Sequence, residues 1–167
     1  VYCQDLPWQA IFLGTGTPFV ENLARELETR FPERVRAVID YDNKLAHQLY
    51  AGADIFLMPS RYEPCGLSQM IAMLYGCVPI ARKTGGLADT ILPVSRQVDG
   101  GTGFLFTKPY PSAFADAVKR AIRYFNKPEL WGNIQRNGMK MDFSWENSAH
   151  KYIDIYLELS NQRNVAA

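Results

Sequence analysis

Short apolar runs alternate with helix-length segments along this chain, and that alternation restricts it to folds built from βαβ units. AIFLG at 10–14, VRAVI at 35–39, IFLM at 55–58 and VPIA at 78–81 each fit a buried strand. Helices are predicted from Pro18 to about Phe31, through Tyr50 from a cap at Asp42 or Asn43, and over 66–75 and 86–91. DGGTGFLF then reads as a glycine loop with a short strand. An amphipathic helix follows over 111–125, with Phe114, Ala117, Val118, Ala121 and Ile122 on one face. Two more helices are predicted at about 128–138 and 145–159, where Trp145, Tyr152 and Tyr156 are expected to bury a face. Alternating strands and helices imply a mainly parallel sheet flanked by helices, an α/β fold.

The chain is 167 residues long, enough for one domain with a fair core. Its hydrophobic fraction of 47% and charged fraction of 21% exclude disorder. Net charge is +1, from 18 basic and 17 acidic side chains, so there is no electrostatic footprint for nucleic acid or a membrane surface. The apolar runs fall far short of the roughly 20 residues of a membrane span. Cys3, Cys65 and Cys77 have no metal-ligand spacing, and an odd count argues against a disulfide framework. A reducing, intracellular compartment is expected. Val1 is not an initiator methionine, so the chain reads as a piece of a longer one.

Parallel sheets bind ligands beyond the carboxyl ends of their strands. Three polar constellations fall there: Asp40-Tyr41-Asp42, residues 60–68 and residues 82–89. Their coincidence points to one shared site. In PSRYEPCGLSQM a strand ends at Pro59, and a helix starting near Gly66 would offer the N–H groups of Gly66, Leu67 and Ser68 to an anion such as phosphate. Gly66 would let a ligand approach closely. Glu63 is either a solvated loop charge or a group that binds a sugar hydroxyl or stabilises a cationic transition state.

RKTGGLADT repeats the pattern at the next strand end. Arg82 and Lys83 are phosphate partners or surface charges, and Gly85-Gly86 is a tight turn or a second backbone cradle. Tyr41 could stack on a flat base or simply be exposed. GTGTP lacks the third glycine of a dinucleotide fingerprint, Phe19 standing in its place, and reads as a tight turn. His47 and His150 are expected to be packed or surface residues. Cys65 is expected to be a small packing residue rather than a nucleophile, with no histidine near it in sequence.

DIFLMPSRYEPCGLSQM followed by VPIARKTGGLADT resembles the C-terminal, donor-binding lobe of bacterial glycogen synthases and plant starch synthases. DYDNKLAHQLYAGAD, GTGFLF and FSWENSAHKYIDIY extend the resemblance over nearly the whole chain. It implies one Rossmann-like nucleotide-sugar-binding lobe of a GT-B glycosyltransferase spanning residues 1–167, without its first strand–helix segment. The helices from about 145–159 would pack back towards an N-terminal lobe of the same protein. The implied reaction transfers glucose from ADP-glucose to the non-reducing end of an α-1,4-glucan, with retention and without a metal or other cofactor. The implied setting is a bacterial cytoplasm or a plastid stroma.

By the same resemblance Glu63 matches the active-site glutamate beside the transferred glucose. Cys65 and Gly66 match main-chain contacts to sugar hydroxyls, and Leu67 and Ser68 match the N–H groups that hold the diphosphate. Tyr41 matches the aromatic that stacks on adenine, while Thr84, Gly85 and Gly86 line the cleft. Many GT-B enzymes carry a second glutamate eight residues on, where this chain has Ile71; the glycogen and starch synthase branch commonly lacks it too. The family's arginine–lysine pair, which neutralises the leaving group, lies on a segment before the strand at 10–14 and is not in this sequence. Two rival readings are a GT-B transferase using UDP- or GDP-sugars and a non-catalytic glucan-binding module.

Overall fold

Residues 5–95 and 100–165 are described by the structure, a computed structural model, with side chains as far as residue 161. Cys3, and the Asp99 that opens the predicted glycine loop, lie outside the described residues. The elements run β1 (Ala10–Leu13), α1 (Pro18–Arg30), β2 (Val35–Val38), α2 (Asn43–Gly52), β3 (Ile55–Met58), α3 (Ser68–Leu74), β4 (Val78–Arg82), α4 (Gly86–Thr90), β5 (Phe104–Phe106), α5 (Pro111–Phe125), α6 (Pro128–Met139) and α7 (Trp145–Val165). Every predicted strand and helix is therefore present, with boundaries shifted by a few residues.

All the strand pairs are parallel, but their hydrogen bonds divide between two sheets, β1–β2 and β3–β4–β5. Among the described residues no strand bridges β1 and β3. The larger sheet holds the core. Successive β4 side chains point to opposite faces, so Val78 and Ile80 meet Phe104, Ala117, Ala121, Trp131 and Ile134 under α5 and α6. On the other face Ala81 packs with Met73, Leu87 and Ile91 of α3, α4 and the turn after them. Of the α5 stripe foreseen from its spacing, Phe114, Ala117, Val118 and Ala121 face this core. Burial on both faces is what a central parallel strand requires, and β4 has it.

The β1–β2 half is far less covered. Among the described residues only Ala24 and Val35 are buried there, while Ile11, Phe12, Phe19, Val20 and Leu23 are exposed. Local signals still fix its elements. Pro18 occupies the first turn of α1 behind the Thr17 cap, and Gly16 N–H donates to Glu21 Oε1 at 3.0 Å. That bond ties GTGTP into the tight turn expected of it. Asp42, of the two predicted caps, starts α2 by accepting Leu45 N–H at 2.8 Å.

Two expectations need correction. Helix α3 begins at Ser68 rather than Gly66, because Gly66 sits at φ +74°, a left-handed turn that cannot continue into a right-handed helix. The aromatics of α7 do not bury a face: Trp145 is 89% exposed, Tyr152 62% and Tyr156 66%. With Ile155 and Leu159 they do form one stripe at helical spacing, but no described element covers it. No helix among the described residues is long and apolar enough to cross a membrane.

Unequal coverage predicts unequal opening. In amide hydrogen exchange, Ile80, Ala81 and Phe104 should be the slowest to exchange and Ile11 and Phe12 among the fastest strand residues. Equal protection of β1 and β4 in the 167-residue chain would contradict this division.

Candidate functional site

Two of the three predicted constellations meet. The loop after β3 carries Glu63, Pro64 and Cys65, and the turn after β4 carries Thr84, Gly85 and Gly86. Gly86 N–H donates to Glu63 O and Pro64 O, both at 3.1 Å. A Cβ on Gly85 would collide with the Glu63 carbonyl oxygen, and one on Gly86 with that of Cys65. Gly85 is also at φ +44°, where side chains are strained. The glycine pair is thus a turn made for contact between two main chains. The structure gives no sign that it cradles a separate ligand by itself.

Gly66 has a related reason. At its φ of +74° an added Cβ would lie 2.5 Å from Gln69 Oε1, so this glycine serves the turn into α3. The first intrahelical bond runs from Ile71 N–H to Leu67 O at 3.0 Å. Leu67 is therefore the N-cap, without a side-chain cap bond, and Ser68 the first helical residue. Among the described residues their N–H groups have no hydrogen-bond acceptor in the protein. Unspent donors at a helix start suit anionic oxygens.

Glu63 stands at the head of this loop, half-buried. Its main-chain oxygen is used by Gly86, but among the described residues its carboxylate has neither a hydrogen bond nor a cationic partner within 4.0 Å. Arg82, weighed as a phosphate partner, spends its Nε–H on Ser60 O at 2.8 Å and so braces the same loop. Lys83 remains an exposed side chain whose backbone N–H is tied to Phe106 O. Beside the loop lies a cavity of about 250 Å³, lined by Pro59, Arg61, Arg82, Phe106, Tyr110 and Phe114 among others.

Tyr41 lies beyond the end of β2, 87% exposed, its N–H donating to Asp40 Oδ1 at 2.7 Å. No hydrogen bond or ring contact joins it to the Glu63 or Gly85 loops among the described residues. The structure thus places it at a strand end but does not bring it into the cluster.

The cysteines correct another expectation. Cys65 is exposed, not a packing residue, because its loop turns outward over Gly86. The packed cysteine is Cys77, where burial first and the Asp54 charge second push the thiol up to about 12. It stays protonated and unreactive at neutral pH. His47 is packed, its Nδ1 3.0 Å from Tyr75 Oη and its ring edge-on to Tyr50, while His150 is exposed. Among the described residues no group of three or more His, Cys, Asp or Glu could hold a metal ion.

Sequence reasoning missed Gln69 and Thr90, which lie beneath the two loops. The signal was available for Gln69: it shares the inward side of α3 with Ala72 and Met73, three and four residues on, where a polar side chain is out of place.

The fold around this site is that of a GT-B glycosyltransferase C-terminal domain. The catalytic domain of starch synthase IV from Arabidopsis thaliana, solved bound to ADP and acarbose, superimposes with a TM-score of 0.78 at 35% identity, over 90% of this chain and 32% of that one. A sucrose-phosphate synthase from Thermosynechococcus elongatus gives a TM-score of 0.65 at 27% identity, over 92% and 39%. The chain belongs to the family described as Glycosyl transferases group 1, whose model matches residues 2–123. Among curated relatives, a glycogen synthase of Thermodesulfovibrio yellowstonii is 50% identical over 153 residues, 92% of this chain and 30% of that protein. One from Gloeobacter violaceus is 46% identical over 151 residues, 90% and 33%. This chain therefore spans about a third of the length of the relatives it matches.

The glycine contacts make a direct test. Gly86→Ala places a methyl group against a main-chain carbonyl that cannot step aside, an overpacking cost of about 1–3 kcal/mol. The variant should melt several degrees lower than the wild type in a thermal scan. An unchanged melting temperature would show that the two loops are not in contact.

Proposed function

We propose that this chain is the donor-binding lobe of an ADP-glucose-dependent α-glucan synthase. The reaction transfers glucose to the non-reducing end of an α-1,4-glucan with retention of configuration. One observation carries the reading: among the described residues a half-buried Glu63 carboxylate without a counter-ion heads a loop that ends in the unspent N–H groups of Leu67 and Ser68. A carboxylate beside an anion site is unfavourable unless positive charge develops near it, as it does on a sugar whose phosphate is leaving.

That placement supports the following roles. Leu67 and Ser68 N–H hold the diphosphate, and the main chain at Cys65 and Gly66 meets the sugar hydroxyls. Glu63 binds the glucose and stabilises oxocarbenium character at its anomeric carbon. Thr84, Gly85 and Gly86 form the neighbouring wall and keep the Glu63 loop in place. Tyr41, exposed beyond β2, stacks on adenine once donor is bound. The glycogen synthase relatives and the ADP-bound starch synthase neighbour support this donor and this acceptor. The exposed α7 stripe of Trp145, Tyr152, Ile155, Tyr156 and Leu159 is where an N-terminal lobe of the same protein would dock.

The chain spans about a third of the length of its glycogen synthase relatives, so residues 1–167 alone are expected to transfer no glucose. In the full-length protein, Glu63→Gln should lower glucan elongation from ADP-glucose by about a thousandfold, read as labelled glucose incorporated. ADP-glucose should outcompete UDP-glucose as donor. Unchanged turnover in the variant would favour a non-catalytic glucan-binding module, and preference for UDP-glucose would move the protein to another GT-B activity.

A further inference from the structure

We infer that Gln69 and Thr90 are positioning residues that lock the two loops of the donor site together from below, an inference that rests on the role given above to Glu63. Gln69 is fully buried, at 0% exposure. Its Nε2 donates to Gly66 O at 2.8 Å and to Cys65 O at 3.2 Å, and lies 3.1 Å from Thr90 Oγ1. Thr90 in turn donates its hydroxyl to Gly86 O at 2.6 Å. One relay of side chains therefore grips the main chain just after Glu63 and just after Gly85.

This grip complements the direct contact above it. Gly86 N–H fixes the Glu63–Pro64 end of the loop. Gln69 fixes the Cys65–Gly66 end, between Glu63 on one side and the Leu67 and Ser68 donors on the other, and Thr90 links Gln69 to Gly86 O. The carboxylate and the anion-holding N–H groups are thereby kept at a set separation.

A packing role does not account for the amide. Among the described residues Gln69 Oε1 is buried without a hydrogen-bond partner, a cost that an apolar side chain of similar size would avoid. What a methionine or leucine could not supply is the two N–H donors that Gly66 O, Cys65 O and Thr90 Oγ1 share. Thr90 is likewise distinguished from valine only by the hydroxyl that closes the relay.

The test compares Thr90→Val, Thr90→Ser and Gln69→Met in the full-length protein, by kcat and KM for ADP-glucose together with melting temperature. Thr90→Val and Gln69→Met should each lower kcat roughly ten- to hundredfold, since small displacements of reacting groups are costly. Thr90→Ser, which keeps the hydroxyl, should stay within about threefold of the wild type, and the double variant Gln69→Met/Thr90→Val should be no slower than the worse single one, as for groups acting through one network. A lower melting temperature with wild-type kcat, or fully multiplicative losses in the double variant, would overturn the inference. Should Gln69→Met fail to fold, the valine–serine comparison at Thr90 decides alone. Wild-type turnover in Glu63→Gln would instead overturn the functional reading, whereas an inactive Glu63→Gln beside a fully active Thr90→Val would sink only the positioning role.

Discussion

The contact between two main chains, Glu63–Cys65 over Gly85–Gly86, is what the site depends on. Two βα loops can approach this closely only where one of them has no Cβ atoms, and the glycine pair supplies that. The hydrogen bonds from Gly86 N–H then satisfy carbonyls that would otherwise be left unpaired in a crowded turn. With the loop clamped, Glu63 is held half-buried and the start of α3 is left with unused donors. The chemistry proposed for the chain needs both features at once.

That clamp stands on the better-built part of the molecule. β4 is buried on both faces, and the two loops leave from its end and from that of its neighbour β3. The β1–β2 half, which carries Tyr41, shares no strand pairing with this sheet among the described residues, and it exposes much of its apolar surface. The Glu63 loop and the start of α3 are therefore preorganised within this chain, while Tyr41 rests on a less covered scaffold. Parallel strands are normally enclosed on both faces, whereas among the described residues Ile11 and Phe12 of β1 and the stripe of α7 stay exposed.

Most of the fold was legible in the sequence because its signals are local. Pro18 and Asp42 mark helix starts, and the spacing of Phe114, Ala117, Val118 and Ala121 marks the face that α5 buries. The candidate site was legible as strand-end loops. What it lacked was the reason for Gly85 and Gly86, which answer to Glu63 and Cys65, contacts that arise only when separate loops are packed together, whereas Gly66 answers locally to Gln69. Gln69 was legible as a polar side chain on an inward helix face, but its link to Thr90 is a bond across 21 residues of sequence. The expected burial of Trp145, Tyr152 and Tyr156 failed because periodicity shows that a stripe exists, not what covers it.

The most direct measurement is a crystal structure of the full-length protein with ADP-glucose bound. The account predicts diphosphate oxygens within hydrogen-bonding distance of Leu67 and Ser68 N–H, the glucose beside the Glu63 carboxylate, and adenine against Tyr41. A nucleotide-sugar bound away from the Glu63 loop, or with its glucose turned from that carboxylate, would contradict it.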